Sequence, residues 1–203
     1  MQLALNPLSH IVPPSNGPRK HVGLPKEQKN VLKTSYAMTY HSWSLPQQPS
    51  IRTVSGTVAK ILEEIVVANN VGTVLNSPFN APKVPSISIQ NYLERFVKFA
   101  RCSMETFILA LILIDRLIQN TTNLKIHATN VHRLFLTGMT LAIKLQDDLH
   151  LSNEDIAKVG GIQADQLAEL EIHMLQGIQF WVTVPQEQFA NYLDYLLCKE
   201  IIN

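Results

Sequence analysis

Four charged side chains stand in otherwise apolar helical stretches and are the clearest candidates for chemistry in this sequence. They alternate in sign along the chain: Arg95, Asp115, Lys144 and Glu171. A charge that approaches a protein core is usually paired, because removing an isolated ion from water is very costly. Each of the four could instead hold its charge at the surface above a partly buried stem. Taken together, they favour a polar site built on rigid helices.

Two pairings follow from the chemistry of these side chains. The planar guanidinium of Arg95 is suited to a bidentate grip on the carboxylate of Asp115. Lys144 and Glu171 would place one donor and one acceptor side by side at the surface. Such a site would suit the exposed backbone of another protein. The pattern therefore indicates recognition of a protein partner.

The sequence shows no constellation for catalysis, metal binding or cofactor binding. No nucleophile is accompanied by a neighbouring base. The spacing of a helical zinc pair is absent from the histidines of the helical region, which are His127, His132, His150 and His173. The glycine pair at 160–161 follows a helical pattern and is interpreted as a cap, not as a phosphate-binding loop. We therefore expect no enzyme activity, no catalytic residue, no metal and no cofactor.

Bulk composition narrows the class of protein further. The chain has 203 residues, 46% of them hydrophobic, which suits one domain with additional segments. A net charge of +1 does not favour a nucleic-acid binder. Cys102 and Cys198 lack metal or redox spacing, so an intracellular protein, cytoplasmic or nuclear, is expected. The longest apolar run, Phe107 to Ile114, has eight residues and is too short to span a bilayer, so no membrane partner is expected.

The chain divides into three regions. Residues 1–55 contain seven of the eleven prolines and six Lys or Arg against one acidic residue, which predicts a flexible, basic arm. Residues 56–85 hold a flanking helix, over Thr57–Ala68, and a proline-rich loop. Residues 86–200 are densely helical and form the main domain.

Helical periodicity predicts an all-α fold for that domain. The predicted helices cover residues 89–100, 104–119, about 128–147, a short capped segment from Ser152 to the glycine pair, 165–178, and a last helix opened by Pro185. The helix over 104–119 is apolar nearly all round, which is typical of the buried centre of a bundle. No alternating run is long enough to predict a strand.

Five segments of this domain resemble the cyclin box, and most closely the P/U-type branch that includes the yeast phosphate-pathway cyclin. They are YLERFVKFARCS (Tyr92–Ser103), ALILIDRL (Ala110–Leu117), NVHRLFLTGMTLAIKLQDD (Asn130–Asp148), LSNEDIAKVGGI (Leu151–Ile162) and LAELEIHMLQGIQFWVTV (Leu167–Val184). The resemblance extends over roughly residues 86 to 200.

The resemblance implies a single cyclin box of five helices with flanking N- and C-terminal helices. It also implies a cyclin-dependent protein kinase as the partner, bound and activated in cell-cycle or nutrient-linked control. In that family an arginine of the first box helix pairs with an aspartate of the second, and the matching positions are Arg95 and Asp115. A lysine ending the third helix and a glutamate in the fifth bind the kinase, and the matching positions are Lys144 and Glu171.

The sequence departs from many cell-cycle cyclins at two points. Arg101 stands where those cyclins place a docking tryptophan, so docking of that type is not expected. Nineteen residues follow Val184, so no second box is expected. The alternative function is a cyclin-fold transcription or scaffold module without kinase activation. Its transcription-factor form would bind nucleic acid with an affinity that falls steeply with salt.

Overall fold

The computed structural model describes residues 49–69, 76–146 and 151–202, and the residues from Pro49 onward belong to one compact unit. Most of the expected arm, together with His150, lies outside the described residues. Within them the secondary structure is helical and contains no strand, which confirms the all-α fold. None of the helices in this part of the chain combines the length and the apolar character needed to cross a membrane.

The described residues form seven helices. They are α1 (Ile51–Ala68), α2 (Ile89–Phe99), α3 (Met104–Asn120), α4 (Val131–Gln146), α5 (Asn153–Gly160), α6 (Ala164–Gly177) and α7 (Gln186–Ile202). Only α1 begins well before its predicted start, because Ser50 caps it: the Ser50 hydroxyl accepts a hydrogen bond from the Thr53 amide at 3.1 Å. Residues 51–55, expected in the arm, are therefore helical.

Helix α3 is the buried centre of the bundle, as its composition predicts. Its side chains from Thr106 to Leu117 are all buried, and the helix packs against α1, α4, α6 and α7. A helix surrounded on all sides needs apolar residues on all sides, since each face removes side chains from water. The flanking helices thus enclose one core.

Helices α3 and α4 share the most extensive contact among the described helices. At Gly138 of α4, a Cβ atom would lie 3.0 Å from Ile114 Cγ1 and 3.1 Å from the Ala110 carbonyl oxygen of α3. The missing side chain therefore lets the two backbones approach. Phe135 adds edge-to-face packing on Phe96 of α2, with ring centroids 5.7 Å apart. Helix α4 is thereby held rigidly, and its C-terminal end carries Lys144.

A tight corner joins α5 to α6. The Ser152 hydroxyl accepts from the Asp155 amide at 3.1 Å and caps the start of α5. Gly161 then takes φ of +72°, and its amide donates to the Ala157 carbonyl at 2.7 Å. Helix α6 begins at Ala164 and packs on α4, which brings Glu171 beside the end of α4.

Candidate functional site

Lys144 and Glu171 meet at the surface between α4 and α6. The Lys144 ammonium donates to both carboxylate oxygens of Glu171, each at 2.7 Å. Lys144 also sits in the last turn of α4, where a cation complements the helix dipole. The structure therefore brings together the two residues that the sequence suggested as a donor and acceptor.

This ion pair adds little to the stability of the fold. The side chains of Lys144 and Glu171 remain 37% and 14% exposed, so water screens their attraction. Pairs of this kind contribute about 0.2–1 kcal/mol to the free energy of unfolding. The pair matters more for geometry than for stability, because each charged group restrains the position of the other side chain. The ammonium keeps a third N–H, and the carboxylate keeps lone pairs, for groups outside the chain.

Two exposed apolar side chains are the sequence neighbours of the pair. Leu145 is 45% exposed and Ile172 is 53% exposed, and each directly follows one of the charged residues in sequence. They are two of the seven large apolar side chains that are exposed among the described residues. An ion pair with apolar neighbours provides both hydrogen-bonding direction and surface that gains free energy when covered.

The expected ion pair between Arg95 and Asp115 is not formed. Arg95 Nη2 instead donates to the Lys158 carbonyl at 3.1 Å, near the C-terminal end of α5. That carbonyl belongs to the last turn of a helix, where a guanidinium is favourable. Arg95 thus reaches toward α5, while Asp115 faces α7. The prediction fails because the two side chains are turned to different neighbours.

Asp115 is 2% exposed and is held by neutral donors. Its Oδ2 accepts from Gln119 Nε2 at 2.7 Å and from the Tyr192 hydroxyl at 2.6 Å. Burial raises the pKa of the Asp115 carboxyl above its ordinary value. The hydrogen bonds from Tyr192 and Gln119, and the positive charge of Arg116, oppose that shift only in part.

Sequence reasoning assigned no role to Arg116, which the structure buries beside Trp181. Its guanidinium donates to the Trp181 carbonyl and, at 3.2 Å, to Gln188 Oε1. It also lies 4.3 Å from the centroid of the Trp181 ring, a cation–π contact. Trp181 itself is 50% exposed, so it does not belong to the core. In the sequence, two adjacent charges at positions 115 and 116 of an apolar helix were the feature that could have indicated a buried role for Arg116.

The described residues contain no group of three or more His, Cys, Asp or Glu side chains that could hold a metal ion. His127 bonds to Thr129 and Asn130 within its own turn. His132 contacts the Ile87 carbonyl at 3.1 Å and stacks edge-on against Tyr92. These two histidines therefore have local structural partners.

Comparison with known proteins identifies the family. The family model described as Cyclin matches residues 45–182, which is more than half of the chain. Cyclin-U4-3 of Arabidopsis thaliana is 42% identical over 120 residues, covering 59% of this chain and 55% of that protein. Cyclin-U1-1 of Arabidopsis thaliana is 38% identical over 118 residues, covering 58% of this chain and 56% of that protein.

A rice protein is similar to the same extent. Cyclin-P4-1 of Oryza sativa subsp. japonica is 39% identical over 120 residues, covering 59% of this chain and 57% of that protein. The chain thus spans little more than half the length of these curated relatives. The helical architecture, the match to the family model and the likeness to U- and P-type relatives agree with one another. This chain belongs to the cyclin family and is of the P/U type.

Proposed function

We propose that this protein is a regulatory subunit that binds and activates a cyclin-dependent protein kinase inside the cell. The observation that carries the proposal is the surface ion pair of Lys144 with Glu171, each followed in sequence by an exposed apolar residue, Leu145 and Ile172. Membership of the cyclin family supports a regulatory role of this kind. Control of the cell cycle or of a nutrient response is the corresponding setting.

The two charges have complementary tasks in this proposal. The free N–H of Lys144 donates to a backbone carbonyl of the kinase, and the carboxylate of Glu171 accepts from a backbone amide. Both groups are restrained before binding, so less side-chain entropy is lost when the complex forms. Leu145 and Ile172 are covered by apolar side chains of the kinase, which supplies the larger part of the affinity.

Activation is a consequence of where the kinase is held. Phosphoryl transfer requires the kinase's own lysine–glutamate ion pair and its metal-binding aspartate to be in place. A rigid surface presented by α4 and α6 stabilises the kinase conformation in which they are assembled. A ligand shifts such an equilibrium only by the difference in its affinity for the two states. A rigid surface fits one kinase conformation better than the other, which makes that difference larger.

The test is an affinity pull-down from a lysate that contains cyclin-dependent kinases, with kinase activity assayed on the bead. The intact chain is compared with a Lys144→Ala/Glu171→Ala variant. A matched control is Lys199→Ala/Glu64→Ala, which removes another ion pair between two helices, at 3.0 Å. We expect the intact chain and the control to retain an active kinase and the first variant to lose it.

Three results would contradict parts of the proposal. Recovery of an active kinase by both variants in equal amounts would support the kinase as partner but exclude Lys144 and Glu171 as the binding site. Recovery of an inactive kinase by the intact chain would favour tethering or inhibition over activation. Recovery of no kinase would favour the scaffold alternative.

A further inference from the structure

A second site lies on another flank of α6, away from Glu171. It is a cleft of about 430 Å³ between the Asn76–Pro78 segment, Arg133 near the start of α4, and one side of α6. On α6 it is lined by Gln166, Glu169 and His173, which recur at the three- and four-residue spacing of one helical stripe. Residue 171 is turned about 140–160° from that stripe at 100° per residue. A ligand in the cleft therefore leaves the Lys144–Glu171 surface open.

The floor of the cleft offers anchored hydrogen-bond donors. Arg133 Nη1 donates to the Asn80 carbonyl at 3.1 Å, which holds the half-buried guanidinium in place. A guanidinium has five N–H donors, so others remain available to an acceptor in the cleft. The side chain of Gln166 accepts from the Gln163 amide, which leaves its NH₂ group as another donor. These groups suit carbonyl oxygens of an extended peptide backbone.

The cleft is also lined by the carboxylate of Glu169, which is more exposed than the guanidinium of Arg133. Glu169 is exposed and forms no ion pair with any residue that the structure describes. No Lys or Arg occurs between Lys158 and Lys199 in the sequence, and Lys144 is engaged by Glu171. Arg133 donates to the Asn80 carbonyl, and its side chain is less exposed than that of Glu169. A cation approaching from solvent therefore meets the carboxylate of Glu169 first.

We propose that this cleft binds an extended, basic peptide segment of a partner protein. A Lys or Arg side chain of that segment pairs with Glu169. A main-chain carbonyl of the same segment accepts a hydrogen bond from Arg133 on the floor. The proposal does not depend on kinase binding, because the residues that line the cleft all belong to this chain.

The test uses the 203-residue chain labelled with ¹⁵N and two unlabelled hexapeptide probes. One probe is acetylated and amidated Ala-Gly-Lys-Ala-Gly-Ala, and the other has glutamate in place of lysine. Amide shifts are followed at millimolar peptide and low salt. We expect the lysine probe to shift the amides of Ser77, Gln166, Glu169 and His173, and the glutamate probe to shift them far less.

Three variants sharpen the assignment. Glu169→Gln keeps the shape and removes the charge, so affinity for the lysine probe falls by up to about fivefold, the range of an exposed ion pair. Glu169→Lys places like charges together and weakens binding by more than about tenfold. Glu63→Gln on α1 is the matched control, because it removes an exposed glutamate outside the cleft. It should leave the affinity unchanged.

Arg133→Met tests the floor separately, and its ¹⁵N spectrum reports whether the fold is kept. We expect weaker binding of the lysine probe with an otherwise native spectrum. The proposal is overturned by the absence of shifts, by shifts located elsewhere, or by equal effects of Glu169→Gln and Glu63→Gln. Preference for the glutamate probe would also overturn it. None of these results bears on the kinase pull-down, so the two proposals fail independently.

Discussion

The Tyr192 hydroxyl donates a 2.6 Å hydrogen bond to Asp115 Oδ2 and so connects α7 to the central helix α3 across 77 sequence positions. Gln119 donates to the same oxygen from one turn along α3. In the described part of the chain, Oδ1 of the carboxylate has no hydrogen-bond partner. The buried aspartate therefore attaches the C-terminal helix to the core, in place of the expected pair with Arg95.

Replacing this hydroxyl should destabilise the fold. Tyr192→Phe keeps the ring and removes the donor, leaving a buried carboxylate with one hydrogen bond fewer. Hydrogen bonds to charged groups contribute about 1.5–3 kcal/mol, so we expect a loss of about 2 kcal/mol in the free energy of unfolding. Urea denaturation followed by circular dichroism measures it. Tyr195→Phe, on the same helix and without a hydrogen bond among those described, is the control, and equal losses would refute the role of Tyr192.

Asp115 should also make stability depend on pH in a definite direction. Its pKa is raised in the folded state, so the native protein holds this proton more tightly than the unfolded chain does. Ionisation therefore costs stability at neutral pH. This destabilisation decreases as the pH falls through the raised pKa of the folded state. It is absent below the pKa of the unfolded chain, which is near 3.8.

An Asp115→Asn variant isolates this contribution. Its amide oxygen can still accept from Tyr192 and Gln119, but it carries no charge to bury. We expect the free energy of unfolding of the variant, relative to the parent, to be highest near pH 7 and to decrease toward pH 4. Urea midpoints at several pH values give the comparison. A difference that stays constant with pH would show that Asp115 does not titrate as proposed.

Gly138 should tolerate no side chain. An added Cβ would press on the Ala110 carbonyl at 3.1 Å, and a backbone group cannot move aside cheaply. Overpacking of about 1–3 kcal/mol exceeds the gain of about 0.5–1 kcal/mol from replacing a helical glycine. Gly138→Ala should therefore lower the melting temperature. Gly56→Ala in α1 is the matched control, because nothing lies within 4 Å of its added Cβ, and it should raise the melting temperature.

Exchanging the charges of the surface pair separates its effect on the fold from its effect on a partner. Lys144→Glu combined with Glu171→Lys can restore an ion pair of reversed polarity. We expect the free energy of unfolding to change by less than about 1 kcal/mol, since the pair is partly exposed. We expect the exchanged variant to recover no kinase in the pull-down, because its carboxylate would face the kinase carbonyl and its ammonium would face the kinase amide. If the exchanged variant still retained the kinase, the pair would not determine how the kinase is positioned on this surface.

Much of the fold could be predicted because it is encoded locally. The end of α5 at Gly161 requires a positive φ, which glycine adopts without a steric penalty, and Ser152 carries a side chain that caps the start of the same helix. The buried centre at α3 follows from apolar residues on all its faces. The early start of α1 after Ser50 was not predicted, because the many prolines before it indicated that residues 1–55 form a flexible arm.

The partners of the charged residues could be predicted only in part. Residue types and the cyclin resemblance suggested Lys144 with Glu171, and the packing of α4 on α6 brings them to 2.7 Å. The same reasoning failed for Arg95, because a long guanidinium can reach several acceptors and the Lys158 carbonyl is the one presented to it. The exposed position of Trp181 over Arg116 carried no clear sequence signal.

Periodicity and capping act within a few residues, so the amino-acid sequence alone predicts most of the helices and the face of each that is buried. It also carried the family resemblance. The contact of Asp115 with Tyr192 and the cleft between the Asn76–Pro78 segment and α6 are evident only in the folded protein. Those contacts depend on how whole helices pack against one another, and the burial pattern of a single helix does not specify which neighbour its polar side chains will reach.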